Sequence, residues 1–277
     1  MTRTIERSAG PAPSAAVGRV PLLILIPAVG GLAVLLLPLI GLFVRAPWTD
    51  LGEYLTSTEV TTALRLSLVT ATISMLVCLV LGTPLAWLLA RVDFRGRQFV
   101  RALVTVPLVL PPVVGGIALL TTFGRRGVLG EPIFEAFGYQ VTFTTTAVVV
   151  AQTFVALPFL VLAVEGALRS TDPRYDEVAA SLGASRWWTF VRVTLPLAGP
   201  GIISGAVLAW ARALGEFGAT ITFAGNFEGV TRTMPLEVYN TYQTDAPGAI
   251  VVSLLLLAVS IGVLAALRER WISGVSP

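Results

Sequence analysis

Over 277 residues, 55% are hydrophobic, 13% are charged and the mean hydropathy is +0.82, a balance that belongs in a bilayer rather than in a soluble core. The net charge of +3 does not mark a nucleic-acid binder, because the basic residues stand at the ends of apolar runs and not in a basic stripe interleaved with stacking aromatics. All 19 basic residues are arginine, histidine is absent and cysteine is single (Cys78, in an apolar run that favours an inert thiol), which excludes a Walker A loop, the commonest zinc sites and an internal disulfide.

In chain order, residues 1–19 are polar, carry Arg3, Arg7 and Arg19, and read as a disordered cytoplasmic tail. Val20–Val44 is the first apolar span, long enough to cross roughly 30 Å of hydrocarbon at about 1.5 Å per residue. A cleaved signal peptide is the rival reading, but the run is too long for a signal core and lacks a small-x-small cleavage site. Arg45–Thr62 is a polar loop in which Trp48 suits the membrane interface. Ala63–Ala90 is the second span, with Trp87 a further interfacial anchor, and Arg91–Arg101 is a loop of four arginines against one aspartate. Ala102–Phe123, the third span, is interrupted by Pro107, Pro111 and Pro112, which a membrane bundle tolerates where neighbours or a wet path satisfy the freed backbone.

Gly124–Thr144 reads as a loop, and Thr145–Leu168 as the fourth span, kinked at Pro158. Glu165 near its end reaches Arg169 at i+4, so a local ion pair is expected. The polar run Asp172–Pro196 follows. Leu197–Phe223 is the fifth span, with Gly201 and Gly205 forming a small-xxx-small face for close helix approach. Ala224–Pro247 reads as a loop and Gly248–Leu267 as the sixth span, before Arg268, Glu269, Arg270 and a C-terminal tail at 271–277. No internal repeat and no soluble domain are evident. With the N terminus inside, thirteen arginines fall on inner segments and five (Arg45, Arg65, Arg125, Arg126, Arg232) on outer ones, which predicts both termini and the 169–196 loop in the cytoplasm.

Arg212 and Glu216 lie four apart within the fifth span, each costing about 2.5–3.5 kcal/mol if placed in lipid at mid-bilayer. Two readings stay open for them: a translocation path, with Gly215 and Gly218 permitting packing or bending beside it, or a structural salt bridge. Arg212 is the better anion contact, its field partly cancelled by Glu216, as a low-affinity path requires. Pro111, Pro112, Arg212, Gly215, Glu216 and Gly218 are therefore the expected path or gate.

The run Asp172–Pro196, DPRYDEVAASLGASRWWTFVRVTLP, predicts a helix–elbow–helix. Asp172 is an N-cap, Pro173 suits the first helical position, and Asp176 and Glu177 meet the positive end of the dipole. Tyr175, Val178, Ala179 and Leu182 share a face, Gly183 stops the helix, and Ser185 caps a second helix, Arg186–Val193, ending before Pro196. A generic amphipathic hairpin at the membrane surface would also have such a shape. The run resembles the cytoplasmic loop of ABC-importer permeases, whose signature is Glu-Ala-Ala, three residues, Gly, nine residues, Ile, one residue, Leu-Pro. Here the positions are Glu177, Val178, Ala179, Gly183, Val193, Leu195 and Pro196, with valines replacing the second Ala and the Ile. Residues 211–226, ARALGEFGATITFAGN, with PLVLPPVVGG at Pro107–Gly116 and FGRRGVLG at Phe123–Gly130, resemble molybdate permeases and, less closely, sulfate and tungstate permeases.

The resemblance implies an all-α integral membrane protein of six transmembrane helices (residues 20–270) with the type I importer architecture, in a bacterial or archaeal plasma membrane. It implies a permease homodimer, two ATP-binding subunits that hold ATP and magnesium, and an extracytoplasmic oxyanion-binding protein, with no cofactor on this chain. The seven loop positions would couple to the ATPase, with Ala179 and Gly183 small enough for close docking, and molybdate would move by alternating access. Sulfate, thiosulfate or tungstate import is the alternative. A lone secondary transporter would call for an inverted repeat, and a membrane enzyme for a catalytic constellation; neither is found.

Overall fold

A computed structural model describes residues 22–273, which are helical throughout their ordered elements with no strand among them. The expected tail at 1–19, the first two residues of the first span and the last four of the C-terminal tail lie outside the described residues. The chain divides into two compact units, 1–45 and 46–277. The first holds α1 (Leu22–Arg45), an apolar helix with Pro27 and Pro38 inside it and exposed side chains such as Leu23, Leu35 and Leu37. That surface suits a helix whose solvent is lipid.

The second unit is built on three helices, α3 (Thr58–Arg91), α7 (Thr145–Ser170) and α11 (Gly199–Leu214), whose shared core includes Cys78, Ala86, Leu89, Leu160, Val164, Leu168, Ala209 and Trp210. Small residues bring the backbones together, as the sequence predicts. A Cβ on Gly201 would collide with that of Ala167, and one on Gly205 would stand 3.2 Å from Ala163 Cβ, both on α7. Side-chain caps start two of the helices: Ser57 Oγ accepts from Val60 N (3.4 Å) and Thr144 Oγ1 from Ala147 N (3.3 Å). The Ser57 cap moves the start of α3 five residues ahead of the expected Ala63, because polar Thr58–Thr62 continues the helix without continuing the apolar run.

Three expected loops contain short helices: α2 (Leu51–Thr56), α6 (Gly130–Phe137) and α13 (Met234–Thr244), the last leading into α14 (Ala246–Ser273). Tyr54 on α2 donates to Asp245 Oδ2 (2.6 Å), and Asp245 Oδ1 accepts from Gly248 N (3.2 Å), so α2 is tied to the turn between α13 and α14. The third expected span is two helices, α4 (Arg97–Val109) and α5 (Pro112–Phe123), bent by 116°. Pro107 lies within α4 and does not break it. The break is at Leu110–Pro111, where the proline holds Leu110 extended (ψ 132°), and Pro112 then opens α5 at a position that needs no N–H. The fifth expected span likewise divides into α11 and α12 (Gly218–Phe223) at Gly215–Phe217. Among the described residues four helices are long and apolar enough to cross a membrane (Leu23–Arg45, Thr58–Arg91, Thr145–Ser170, Ala246–Val263), and two bent pairs, Arg97–Val109 with Pro112–Phe123 and Arg186–Leu197 with Gly199–Leu214, bring the candidate spans to six if each pair is one span.

Candidate coupling elbow and helix breaks

The elbow forms as its local chemistry dictates. Asp172 Oδ1 accepts from Arg174 N (2.9 Å), which sets α8 (Arg174–Ser181) one residue later than the expected start. At the other end Gly183 N donates to Ala180 O and Ala184 N to Ala179 O, both at 3.0 Å, with Gly183 at φ +83°. This pair of bonds is the Schellman arrangement, and the left-handed residue at its centre favours glycine. Nothing in this chain lies within 4 Å of the position a Gly183 Cβ would take, so within the chain it is the backbone angle that calls for glycine. Ala179 is buried within the elbow itself, so it is small for internal packing.

Tyr175, Val178 and Leu182 form the face the spacing predicts, and they are exposed, Leu182 by 83%. With Ala179, Gly183, Trp188 and Val193 they line an open groove of about 1020 Å³. An apolar face of this kind, standing on a polar stretch of chain, is the sort of patch that marks an interaction site. Glu177 does not join it. It lines a smaller hollow on another side of α8, whose lining also includes Arg91 and Arg186. Leu195 and Pro196 stand outside both hollows.

Ser185 Oγ accepts from Trp188 N (3.2 Å) and opens α9 (Arg186–Thr189) as expected. The expected stop before Pro196 is not there. Phe190–Thr194 widens into a π-helical turn, with Leu195 N donating to Phe190 O, and the helix continues through Pro196 as α10 (Leu195–Leu197) before a 73° bend into α11. Proline has no N–H to give, and a widened turn just ahead of it relieves the clash with the preceding carbonyls.

The helix breaks at Leu110–Pro111 and Gly215–Phe217 face each other. A Cβ on Gly218 would stand 2.6 Å from Pro112 Cβ, so α12 lies against the start of α5, and Gly116 on α5 meets Ala219 and Thr222 on α12 in the same way. Gly218 is thus needed for close approach, whereas Gly215 has room for a side chain and lies in the break itself. Glu216 is beyond the end of α11 and is 1% exposed. Its Oε2 pairs with Arg212 Nη1 at 2.6 Å, and its Oε1 accepts from Ala219 N at 2.8 Å. The carboxylate therefore satisfies backbone that the break sets free, a role the spacing did not show. Arg212 retains 28% side-chain exposure and is the more accessible partner of the two.

Glu165 makes the expected pair with Arg169 (2.9 Å), and Arg101 of α4 binds the same oxygen at 2.5 Å. The second arginine is 64 residues away, and no local pattern announces it. Among the described residues no group of His, Cys, Asp or Glu side chains could hold a metal ion.

Residues 79–273 match the family model described as "Binding-protein-dependent transport system inner membrane component". The molybdenum transport system permease protein ModB of Mycobacterium bovis is 49% identical over 243 residues, 87% of this chain and 90% of that protein. The sulfate transport system permease protein CysT of Escherichia coli is 35% identical over 232 residues, 82% of this chain and 83% of that one. The crystal structure of a bacterial alginate ABC transporter, in complex with its alginate pentasaccharide-bound periplasmic protein, contains a chain that superposes with a TM-score of 0.72. That match covers 90% of this chain and 92% of the other at 18% identity, a likeness of fold. A family match over most of the second unit and identities of this size across most of the length place the chain among the inner-membrane components of binding-protein-dependent transport systems.

Proposed function

We propose that the chain is the permease subunit of an ATP-driven importer that carries molybdate across the plasma membrane. The observation that supports it most directly is the uncovered apolar face of α8, held at a fixed angle by a cap at one end and a Schellman turn at the other. Such a face has a partner by design, and a chain without lysine cannot carry the Walker A loop that would power transport. The chain is a permease and not itself the enzyme. Hydrolysis belongs to separate ATP-binding subunits, which hold ATP and magnesium and receive α8 in a groove. The elbow and both termini lie in the cytoplasm, as the arginine distribution predicts. A second copy of the chain completes the path, and an external binding protein supplies affinity for the oxyanion.

In this reading α8 moves as a rigid lever, and its motion reaches the opposed breaks at Pro111–Pro112 and Gly215–Gly218, where backbone freed from regular helix lines the gate. Arg212, partly exposed beside the buried Glu216, is the path's anion contact. Its neutralised field lets the anion pass without being held. Molybdate is preferred to sulfate because the identity to ModB exceeds that to CysT over comparable lengths.

The test is reconstitution of the chain with an ATPase subunit and a binding protein from the same gene cluster in proteoliposomes. ATP-dependent molybdate uptake, poorly competed by sulfate, is expected. Uptake of sulfate in preference would move the chain to the sulfate branch. Uphill transport by the purified chain alone would refute the division of labour.

A further inference from the structure

Two covalent tethers join α8 to the rest of the bundle, one to α7 through Thr171–Pro173 and one to α9 through Leu182–Ser185, and neither reaches α3. Asp176 does. Its Oδ1 accepts from Thr194 Oγ1 at 2.9 Å, at the end of the π-helical turn, and its Oδ2 lies 3.5 Å from Nε of Arg91, the last residue of α3. Arg91 is fixed from its other end, Nη2 donating to Thr171 O at 3.2 Å. Its Nε is buried and has no hydrogen bond among the described residues, standing just beyond bonding distance of Asp176. A small approach of α8 toward α3 would close that bond, and a small retreat would part the ion pair. The side chains are 13% and 28% exposed, so the pair is partly shielded from water, where charges act on each other more strongly than at a free surface.

The α3 end of this clasp is itself bolted down. Leu89 O accepts from Arg97 Nε at 2.7 Å, Ala90 O from Arg97 Nη2 at 3.2 Å, and Arg101 joins α4 to Glu165 on α7 at 2.5 Å. Glu177, the neighbouring acid, makes no ion pair among the described residues. The groove that takes a partner is on another side of α8, so the clasp transmits motion without touching the partner. A π-helical turn at the third member of the contact is the kind of irregular segment that recurs at functional sites.

We propose that Asp176 is the positioning residue that gears α8 to the end of α3, so that displacement of the elbow turns α3, α4 and α7 together with the segment leading into α11. The inference rests on the reading of α8 as the ATPase dock, and two measurements separate their failures. The first uses the full complex in proteoliposomes and reads ATP hydrolysed per molybdate imported. Asp176→Asn keeps an acceptor for Thr194 and loses the charge facing Arg91, and Arg91→Gln loses the other charge. Each is expected to raise the ATP consumed per anion by about threefold to tenfold, with the double variant no worse than either single one. Asp176→Glu should restore most of the coupling. An unchanged ratio in both single variants, or effects that multiply in the double, would overturn the gear while leaving the dock intact.

The second measurement needs no ATPase. Spin labels at Ser181→Cys and Gln98→Cys, in a Cys78→Ala background, read the distance between α8 and the start of α4 in the purified chain. A narrow distribution that broadens in Asp176→Asn and Arg91→Gln supports the gear even if no ATPase is retained. A distribution those variants leave unmoved sinks it.

Discussion

Replacing Glu216 by alanine removes two partners at once, the guanidinium of Arg212 at 2.6 Å and the amide of Ala219 at 2.8 Å. The amide is buried at the start of α12 and among the described residues no other side chain bonds it, so its loss costs about 1–3 kcal/mol. Arg212 keeps 28% exposure and, on the proposed path, would turn toward water, so the cost of stranding it would fall well below the roughly 3–5 kcal/mol of a fully buried charge, to about 1 kcal/mol. Glu216→Ala is therefore expected to destabilise the folded chain by about 2–4 kcal/mol, and Glu216→Gln, which keeps an oxygen for Ala219 N, by about 1 kcal/mol. Arg212→Ala leaves the cap to Ala219 in place but strands a carboxylate that is 1% exposed, so it should cost about 3–5 kcal/mol, and its transport is read per folded chain. The assay is unfolding in mixed micelles followed by tryptophan fluorescence, run beside molybdate uptake at matched expression. If Glu216→Ala and Glu216→Gln lose stability equally, the amide contributes nothing and the assignment of Glu216 to the helix break is wrong. If Arg212→Ala transports normally, Arg212 has no place on the path.

Three further outcomes follow from the geometry. Gly183 sits at φ +83° in open space, so Gly183→Ala should cost about 1 kcal/mol of elbow stability and Gly183→Asn less, read as hydrogen exchange across α8; equal exchange in all three would remove the backbone-angle argument. Gly201→Leu drives a side chain into Ala167 of α7 and should cost about 1–3 kcal/mol or block folding, whereas Gly199→Leu, where nothing lies within 4 Å, should fold normally. The Tyr54 hydroxyl is pushed up to about 12, first by its hydrogen bond to Asp245 and then by burial and the nearby carboxylates. The protonated phenol makes that bond, so the bond's contribution is complete below the ordinary tyrosine value near 10 and is lost as pH climbs toward 12. The phenolate absorbance that Tyr54→Phe removes should accordingly appear only near the top of the titration; its appearance near 10 would show the bond to be absent.

How much of this was legible depended on whether the signal was local. α3, α7 and α14 are long continuous apolar runs, and length alone finds them. The elbow was legible for a different reason, since Asp172, Gly183 and Ser185 each act on backbone within a few residues. Of three prolines in the third span, only the Leu110–Pro111 step breaks the helix, because Pro107 gives up a single bond inside a turn that its neighbours hold. The helices α2, α6 and α13 were read as loops because they are short and amphipathic at most, and they depend on contacts such as Tyr54 with Asp245, 191 residues away. The carboxylates show the same limit. Arg169 could be assigned to Glu165 by counting four residues, while Arg101 on Glu165 and Arg91 on Asp176 are meetings that only the packing of α3, α4 and α7 creates.

The face formed by Tyr175, Val178 and Leu182 bears on what the chain would meet when unpartnered. If the proposed ATPase mate is what covers it, a copy of the chain that lacks that mate would present an oily knob, the kind of surface that chaperones bind.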